Sequence, residues 1–388
     1  MRIAQIAPLF ERVPPRLYGG TERIVSYLTE ELVRQRHDVT LFATGDSKTA
    51  AKLVPCCDLA LRLNPTVRDP LPYHVIMLEQ VRKRAHEFDI LHFHIKFIHA
   101  PLVHGVADRT VTTLHGRLDL PDLASFYRVF PQLPLVAISN NQRNYLHNVN
   151  WVGTVHHGLP HQLLPFAPRA SGSYLAFLGR ISPEKRPDRA IEIAVRSGMP
   201  LKIAAKVDSA DQSYWEEMIR PMVEACSNVE FLGEIGEAEK ASFLGGAAAL
   251  LFPIDWPEPF GLVMIEAMAC GTPVIAFRGG SVVEILEDGT SGLIVDTIEE
   301  AVMAVRRIAR LSRATVRAQF DRRFTVERMA HDYLEIYHRA AASSTDRAQT
   351  DRANGAHLSP TMTTPAGAGD RDQLHLWSRR DRRYGIKT

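Results

Sequence analysis

Cysteine is scarce in this chain. Four residues in 388, Cys56, Cys57, Cys226 and Cys270, form no CxxC pair, and two of them are adjacent. That is a poor start for a disulfide framework, so the sequence reads as one from a reducing compartment, the cytoplasm. Long apolar runs are missing too: none approaches the roughly 18 residues of a membrane-spanning helix. Met1-Arg2-Ile3-Ala4-Gln5-Ile6-Ala7-Pro8 is interrupted too soon to read as a secretory leader. Nor is there an excess of one charge, since 46 Lys and Arg face 44 Asp and Glu; a net +2 argues against a dedicated nucleic-acid binder. No G-x-G-x-x-G follows the first apolar run, which removes the dinucleotide fingerprint of a dehydrogenase. No short-period repeat is present.

What the chain does have is alternation. It is 45% hydrophobic and 23% charged, enough for a large core, and its length suits two to three domains. Short apolar runs alternate with amphipathic stretches, the pattern of βαβ units and a parallel sheet. Strands are predicted at Arg2–Pro8, His37–Ala43, Asp89–His94, Val111–Leu114, Pro134–Ile138 and Thr154–His156. A helix from a Thr21 cap to Arg34 places Ile24, Leu28 and Leu32 at four-residue spacing. A linker at 157–172 holds three Pro and two Gly. A second half follows, with strands at Tyr174–Leu178, Leu201–Ala205, Val229–Leu232, Ala248–Pro253 and Pro273–Ala276. Helices between them include Asp188–Ser197, Glu237–Gly245 and Leu262–Ala269. The expected organisation is therefore two doubly wound α/β domains, 1–160 and 161–325, a closing helix at 326–341, and a tail from 342. From Ala341 to Gly369, 20 of 29 residues are Ala, Ser, Thr, Gly or Pro, too little apolar surface to offset the entropy of ordering, so the tail reads as disordered.

The strongest local signal is Pro257-Glu258-Pro259-Phe260-Gly261-Leu262-Val263-Met264-Ile265-Glu266, running on through Gly271-Thr272-Pro273-Val274-Ile275. Glu258 lies in a Pro-flanked turn after a buried strand, Gly261 opens a helix, and Glu266 falls inside it. A helix N-terminus opened by Gly offers free amides at Gly261, Leu262 and Val263 and a positive dipole end to an anion, phosphate above all. Glu266 can accept hydrogen bonds from a sugar diol such as ribose, and Glu258 from another hydroxylated group. Either glutamate alone would be an ordinary surface or capping residue; the whole string is harder to dismiss.

Other candidates are weaker singly. Gly19 and Gly20 permit close backbone approach to a ligand at a helix start. Arg180 and Lys185 frame a Pro-containing loop directly after a strand, the crevice position where α/β sheets bind ligands. Two cations and a helix dipole can stabilise a departing diphosphate without a metal. His115 ends a strand of the first half and can face the cleft from the other side. Lys206, in Ala204-Ala205-Lys206-Val207-Asp208, can approach a phosphate. His92 and His94 share one strand face, which admits a metal site, but no carboxylate or Cys sits at ligand spacing, so buried strand histidines are preferred.

Taken in order along residues 1–340, these motifs resemble the retaining glycosyltransferases of the GT-B fold, family 4 (glycosyl transferases group 1). Glu258 and Glu266 match the family's acidic-x7-Glu signature. Gly19-Gly20-Thr21-Glu22 resembles its glycine loop, Leu114-His115-Gly116 its histidine motif, and Gly179-Arg180-Ile181-Ser182-Pro183-Glu184-Lys185 its basic loop. The resemblance implies two Rossmann-like domains facing a cleft and metal-independent transfer of a hexose with retention, from a UDP- or GDP-linked sugar to a glycan, lipid or small-molecule acceptor. It implies catalytic roles for Arg180, Lys185, Glu258 and His115, donor binding by Gly19, Gly20, Gly261, Leu262, Val263, Glu266 and Lys206, and no bound cofactor. It also implies that the last helix crosses back to the first domain. The chain departs from the pattern at His156-His157-Gly158 and at Lys206. The other main transferase fold needs an Asp-x-Asp at a strand end, and the only such triplet, Asp370-Arg371-Asp372, lies in the tail. Alternatives are a GT-B epimerase or phosphorylase, and a nucleotide-sugar-binding protein without catalysis. Seven arginines between Arg306 and Arg323 suit either weak peripheral contact with an anionic inner membrane face or a solvated surface, and the latter is preferred.

Overall fold

Every strand of the computed structural model, which describes residues 1–355, pairs in parallel with its neighbours in one of two sheets. The first sheet contains β1 (Arg2–Ile6), β2 (Asp38–Ala43), β3 (Lys52–Pro55), β4 (Ile90–Phe93), β5 (Thr110–Leu114), β6 (Leu135–Ala137) and β7 (Trp151–Thr154), in the order 3-2-1-4-5-6-7. The second contains β8 (Leu175–Ile181), β9 (Leu201–Val207), β10 (Val229–Gly233), β11 (Ala249–Phe252), β12 (Val274–Phe277) and β13 (Gly292–Val295), in the order 10-9-8-11-12-13. Both are doubly wound. Each has a switch point, between β1 and β4 and between β8 and β11, where the carboxyl ends of the strands open a crevice. The two-domain GT-B architecture expected from the motifs is what the chain adopts.

The helices that position the cleft are α1 (Gly20–Arg34), α2 (Leu71–Arg84), α3 (Pro187–Ser197), α4 (Glu237–Gly246), α5 (Leu262–Ala269), α6 (Arg313–Arg323) and α7 (Val326–Gly355). In α1 the predicted apolar stripe, Ile24, Leu28 and Leu32, is buried against Ile3, Val39 and Ile90. Thr21 is not its cap, however. Gly19 holds that position with φ +156°, and a Cβ there would stand 2.8 Å from Pro15 Cβ, so a glycine turn rather than a hydroxyl starts the helix. Two strands escape a reading by pattern. β3 is a half-exposed edge strand ending in Pro55, and β13 is only four residues long, behind a Thr-Ser-Gly turn.

The basic stretch before the last helix is not one solvated face. Arg313 of α6 donates to the carbonyls of Ala167, Gly245, Ala247 and Cys270 and to Thr272 Oγ1. Arg317 is buried on the carbonyls of Leu164 and Ala269, and Arg323 caps Ile285 and Glu284. These three guanidiniums neutralise carbonyl ends inside the second domain. Arg306, Arg307, Arg310 and Arg322 remain exposed.

The chain then returns. Val326, Met329, Ala330, Tyr333, Ile336 and Tyr337 of α7 bury against Ile3, Ile24, Leu28, Val111, Val136 and Val155 of the first domain. A backbone bridge between Leu159 and Thr325 ties the outgoing and returning segments side by side. α7 does not stop at the expected Ala341 boundary but runs to Gly355. The remainder of the predicted tail, 356–388, lies outside the described residues. Among the described residues no helix is long and apolar enough to cross a membrane.

Candidate active site

A cavity of about 700 Å³ lies between the carboxyl edges of the two sheets. All eleven residues singled out in the sequence line it: Gly19, Gly20 and His115 from the first domain, and Arg180, Lys185, Lys206, Glu258, Gly261, Leu262, Val263 and Glu266 from the second. They come from α1, the end of β5, β8 and its following turn, β9, and the loop and helix after β11.

Gly261 sets the geometry of the strongest motif. Its φ of +79° is left-handed, and a Cβ there would stand 2.6 Å from Met264 Cε and 3.0 Å from the Phe252 ring. This turn starts α5 at the cavity wall and places Glu266 one turn in, where it is 2% exposed. Glu258, on the other side of the turn, is 8% exposed. It accepts a 3.1 Å hydrogen bond from Trp256 Nε1 and pairs with Lys185. The Lys185 ammonium also lies 4.9 Å from the Trp256 ring centre. A cation and a carboxylate that are both largely dehydrated are thus held against an indole at the cavity floor.

The other cations are also paired. Arg180 faces Glu184 at 3.0 Å, Asp211 at 3.5 Å and Asp208 at 3.6 Å. Lys206 lies 2.7 Å from Asp208 and 5.6 Å from the Tyr18 ring centre. These side chains are oriented by neighbouring carboxylates and remain at the cavity wall, where an anionic ligand would meet positive charge without a large rearrangement.

The sequence assigns no role to several of the lining residues. Lys240 of α4 pairs with Glu266 at 2.6 Å, and no motif marks it, because it stands 26 residues away. Glu22, in the first turn of α1, is buried, and the loss of hydration pushes its carboxyl up to about 7. Arg62, on the same wall, pairs with Glu11 at 3.0 Å. Two contacts bridge the domains across the cavity mouth: Tyr18 N–H donates to Glu234 Oε1 at 2.8 Å, and Arg23 pairs with Glu237. Behind the cavity, Glu284 of the second domain accepts from His156 at 2.6 Å and from the Asn140 amide at 2.8 Å.

His115 is part of a group rather than a lone strand-end histidine. Its Nε2 lies 2.8 Å from His94 Nδ1, and its ring stacks on His157 with centres 5.3 Å apart and planes 15° from parallel. Burial pushes His115 down to about 3 and holds His94 and His157 well below the ordinary imidazole range, so all three are neutral at pH 7. His92 is buried and bonded to Tyr337 and Thr113; His94, its neighbour on the strand face, also lines the cavity. Reading both as structural histidines therefore accounts for His92 and misses half of what His94 does.

Comparison with known proteins agrees with the architecture. Residues 18–149 match the model for Glycosyltransferase Family 4, and residues 167–323 that for Glycosyl transferases group 1. A D-inositol 3-phosphate glycosyltransferase from Salinispora arenicola is 32% identical over 201 residues, 44% of this chain and 42% of that one. A probable sucrose-phosphate synthase from Thermosipho melanesiensis is 31% identical over 169 residues, 40% of this chain and 39% of that one. The chain thus matches less than half the length of these curated relatives. Among solved structures, a sucrose-phosphate synthase from Thermosynechococcus elongatus aligns with a TM-score of 0.72 at 18% identity, covering 88% of this chain and 100% of that one. Anabaena HepE in complex with UDP-glucose aligns at 0.65 and 18% identity, over 89% and 100%. A glycosyltransferase involved in avilamycin A biosynthesis aligns at 0.65 and 22% identity, over 88% and 98%. At these identities the likeness is one of fold.

Proposed function

Because the two halves of the chain belong to the family 4 and group 1 glycosyltransferases, we propose that it moves a sugar, with retention, from a nucleoside diphosphate sugar to a hydroxyl-bearing acceptor. One observation carries the proposal: the two glutamates flanking Gly261, the Arg180 and Lys185 cations and His115 converge on one interdomain cavity although they lie up to 151 residues apart in sequence. That HepE is known in complex with UDP-glucose supports a nucleotide-sugar donor. The four free cysteines are compatible with a cytoplasmic location.

In this proposal Glu266 accepts from the donor ribose, while the α5 start and the Gly19–Gly20 turn receive the diphosphate. Glu258 and His115 hold the transferred sugar. The C1–O bond to phosphate breaks and a C1–O bond to the acceptor forms on the same face, with the acceptor proton passing to the leaving phosphate oxygen. No side chain is assigned as a covalent nucleophile. Arg180 and Lys185 supply the positive charge that grows in value as the third negative charge develops on the leaving group. Lys185 does so while paired with Glu258, which sets its position at the cost of part of its field.

A panel of UDP- and GDP-sugars, scored for nucleoside diphosphate release with and without added acceptors, tests the proposal. Turnover of at least one donor, persisting in EDTA, is expected. Strict dependence on Mn²⁺ or Mg²⁺ would refute metal independence, and interconversion of two sugars without diphosphate release would replace the transferase with an epimerase.

A further inference from the structure

Behind His115 runs a continuous hydrogen-bonded line from the cavity to the returning helix. Tyr337 of α7, fully buried, accepts from Gln5 Nε2 at 3.2 Å. With its amide nitrogen spent there, Gln5 presents Oε1 to His94 Nε2 at 2.8 Å, so that nitrogen carries the proton. A neutral imidazole holds only one proton. His94 Nδ1 is therefore bare and accepts from His115 Nε2–H, 2.8 Å away. His115 in turn has a bare Nδ1. That atom is buried, has no partner in the protein, and belongs to a ring lining the cavity. On the far side the polarity is the same: the Tyr337 hydroxyl donates to His92 Nδ1 at 2.6 Å, and His92 Nε2–H donates to Thr113 Oγ1 at 2.7 Å.

We propose that Tyr337, acting through Gln5 and His94, fixes His115 in its Nε2–H tautomer, leaving its bare Nδ1, covered beneath the cavity wall, as an acceptor for a hydroxyl of the bound sugar once the ligand displaces the atoms that cover it. Only the nature of the hydroxyl donor rests on the glycosyl-transfer proposal. Tyr337 is a positioning residue. It lies on the helix that returns from the second domain, so docking of that helix decides which hydrogen-bonding face the first domain shows to ligand. The opposite tautomer would offer an N–H at the same point and select an acceptor group instead. The stacked His157 ring holds the plane of His115 while the relay sets its polarity.

The test uses the full chain with ¹⁵N-labelled histidine and no ligand. Two-bond ¹H–¹⁵N spectra near pH 7.5 should show the His115 signals, identified by their loss in His115→Gln, with Nε2 protonated and Nδ1 unprotonated. In Tyr337→Phe the Gln5 amide loses its acceptor and can turn over, so the His115 pattern should average or reverse. Gln5→Leu, which cuts the line at its middle, should do the same and serves if the first variant fails to fold. A protonated Nδ1 in the unaltered protein would overturn the proposal. So would an unchanged His115 pattern in whichever of the two variants is folded. In turnover, Tyr337→Phe should lower kcat for donor hydrolysis about three- to tenfold, the range of one hydrogen bond to a neutral group, and leave UDP and GDP affinity unchanged. If no nucleotide sugar is turned over by the unaltered chain, the glycosyl-transfer proposal fails, and the ligand-free spectra still decide the relay.

Discussion

Replacing Glu266 by Ala should weaken binding of a free nucleoside diphosphate as much as binding of the sugar donor. The ribose is common to both ligands, and the sugar is not. Glu266 is almost fully buried, and one of its oxygens is engaged by Lys240 at 2.6 Å. That leaves about one full charge-assisted bond for the ribose diol, worth about 1.5–3 kcal/mol, which at about 1.4 kcal/mol per decade is roughly a 10- to 150-fold rise in Kd. Loss of the carboxylate does not strand Lys240, because Glu237 lies 3.6 Å from the same ammonium. The fold should therefore survive, with Glu266→Gln as the milder control. Isothermal titration of UDP and GDP against both proteins measures the effect. Repeating it with the dideoxyribose analogues isolates the cause: the unaltered protein should lose affinity on losing the diol, and the variant should lose little more. Unchanged UDP and GDP affinity in Glu266→Ala, or full discrimination between ribose and dideoxyribose in the variant, would refute the assignment.

Arg180→Ala and Lys185→Ala should each lower kcat about 30- to 1000-fold with smaller effects on KM, and together lose less than the product, because both act on one developing charge. A rise in KM alone would make that residue a binding contact. Glu22→Gln should stabilise the protein more at pH 8 than at pH 5. The folded carboxyl is raised to about 7 by burial while the unfolded one stays near its ordinary value, so its favourable contribution is full at low pH and is lost as pH rises through 7. A difference in Tm independent of pH would contradict this. Gly261→Ala should cost on the order of 1–3 kcal/mol from the left-handed backbone alone, and chemical denaturation with the same midpoint as the unaltered chain would refute it.

The part of the site that could be read from sequence is the part that is local. Glu258, Gly261 and Glu266 sit in one unbroken string, so turn chemistry, helix start and spacing fix their relation before any tertiary contact is known. The same logic places Gly19–Gly20 and Arg180–Lys185 at strand-to-helix junctions, and the doubly wound order follows from the alternation of apolar runs. What the pattern conceals is long-range. Lys240 and Glu266 are joined across 26 residues, and His94 and Gln5 across 89. Neither Lys240 nor Gln5 has any local feature that distinguishes it from a surface lysine or a strand glutamine. Arg313 and Arg317 misled for the opposite reason: a run of arginines looks like solvated charge, whereas carbonyl ends that need a buried donor are invisible until the chain is folded. Edge strands β3 and β13 are only four residues long, too short to announce a period of two.

The return of the last helix has a consequence for biosynthesis. Ile3, Ile24, Leu28, Val111 and Val136 leave the ribosome well before Met329, Tyr333 and Tyr337, the side chains that cover them. At about 5–20 residues per second, the interval between synthesis of Val155 and Tyr337 is roughly 10–40 s. Throughout that interval the first domain has a complete sheet with one apolar flank open, and the buried amide of Gln5 and ring of His92 lack their Tyr337 partner. The nascent first domain is thus a client for whatever shields apolar surface in the cell. Expressed alone, it should be insoluble unless the segment from Val326 through Tyr337 is supplied, covalently or as a separate peptide.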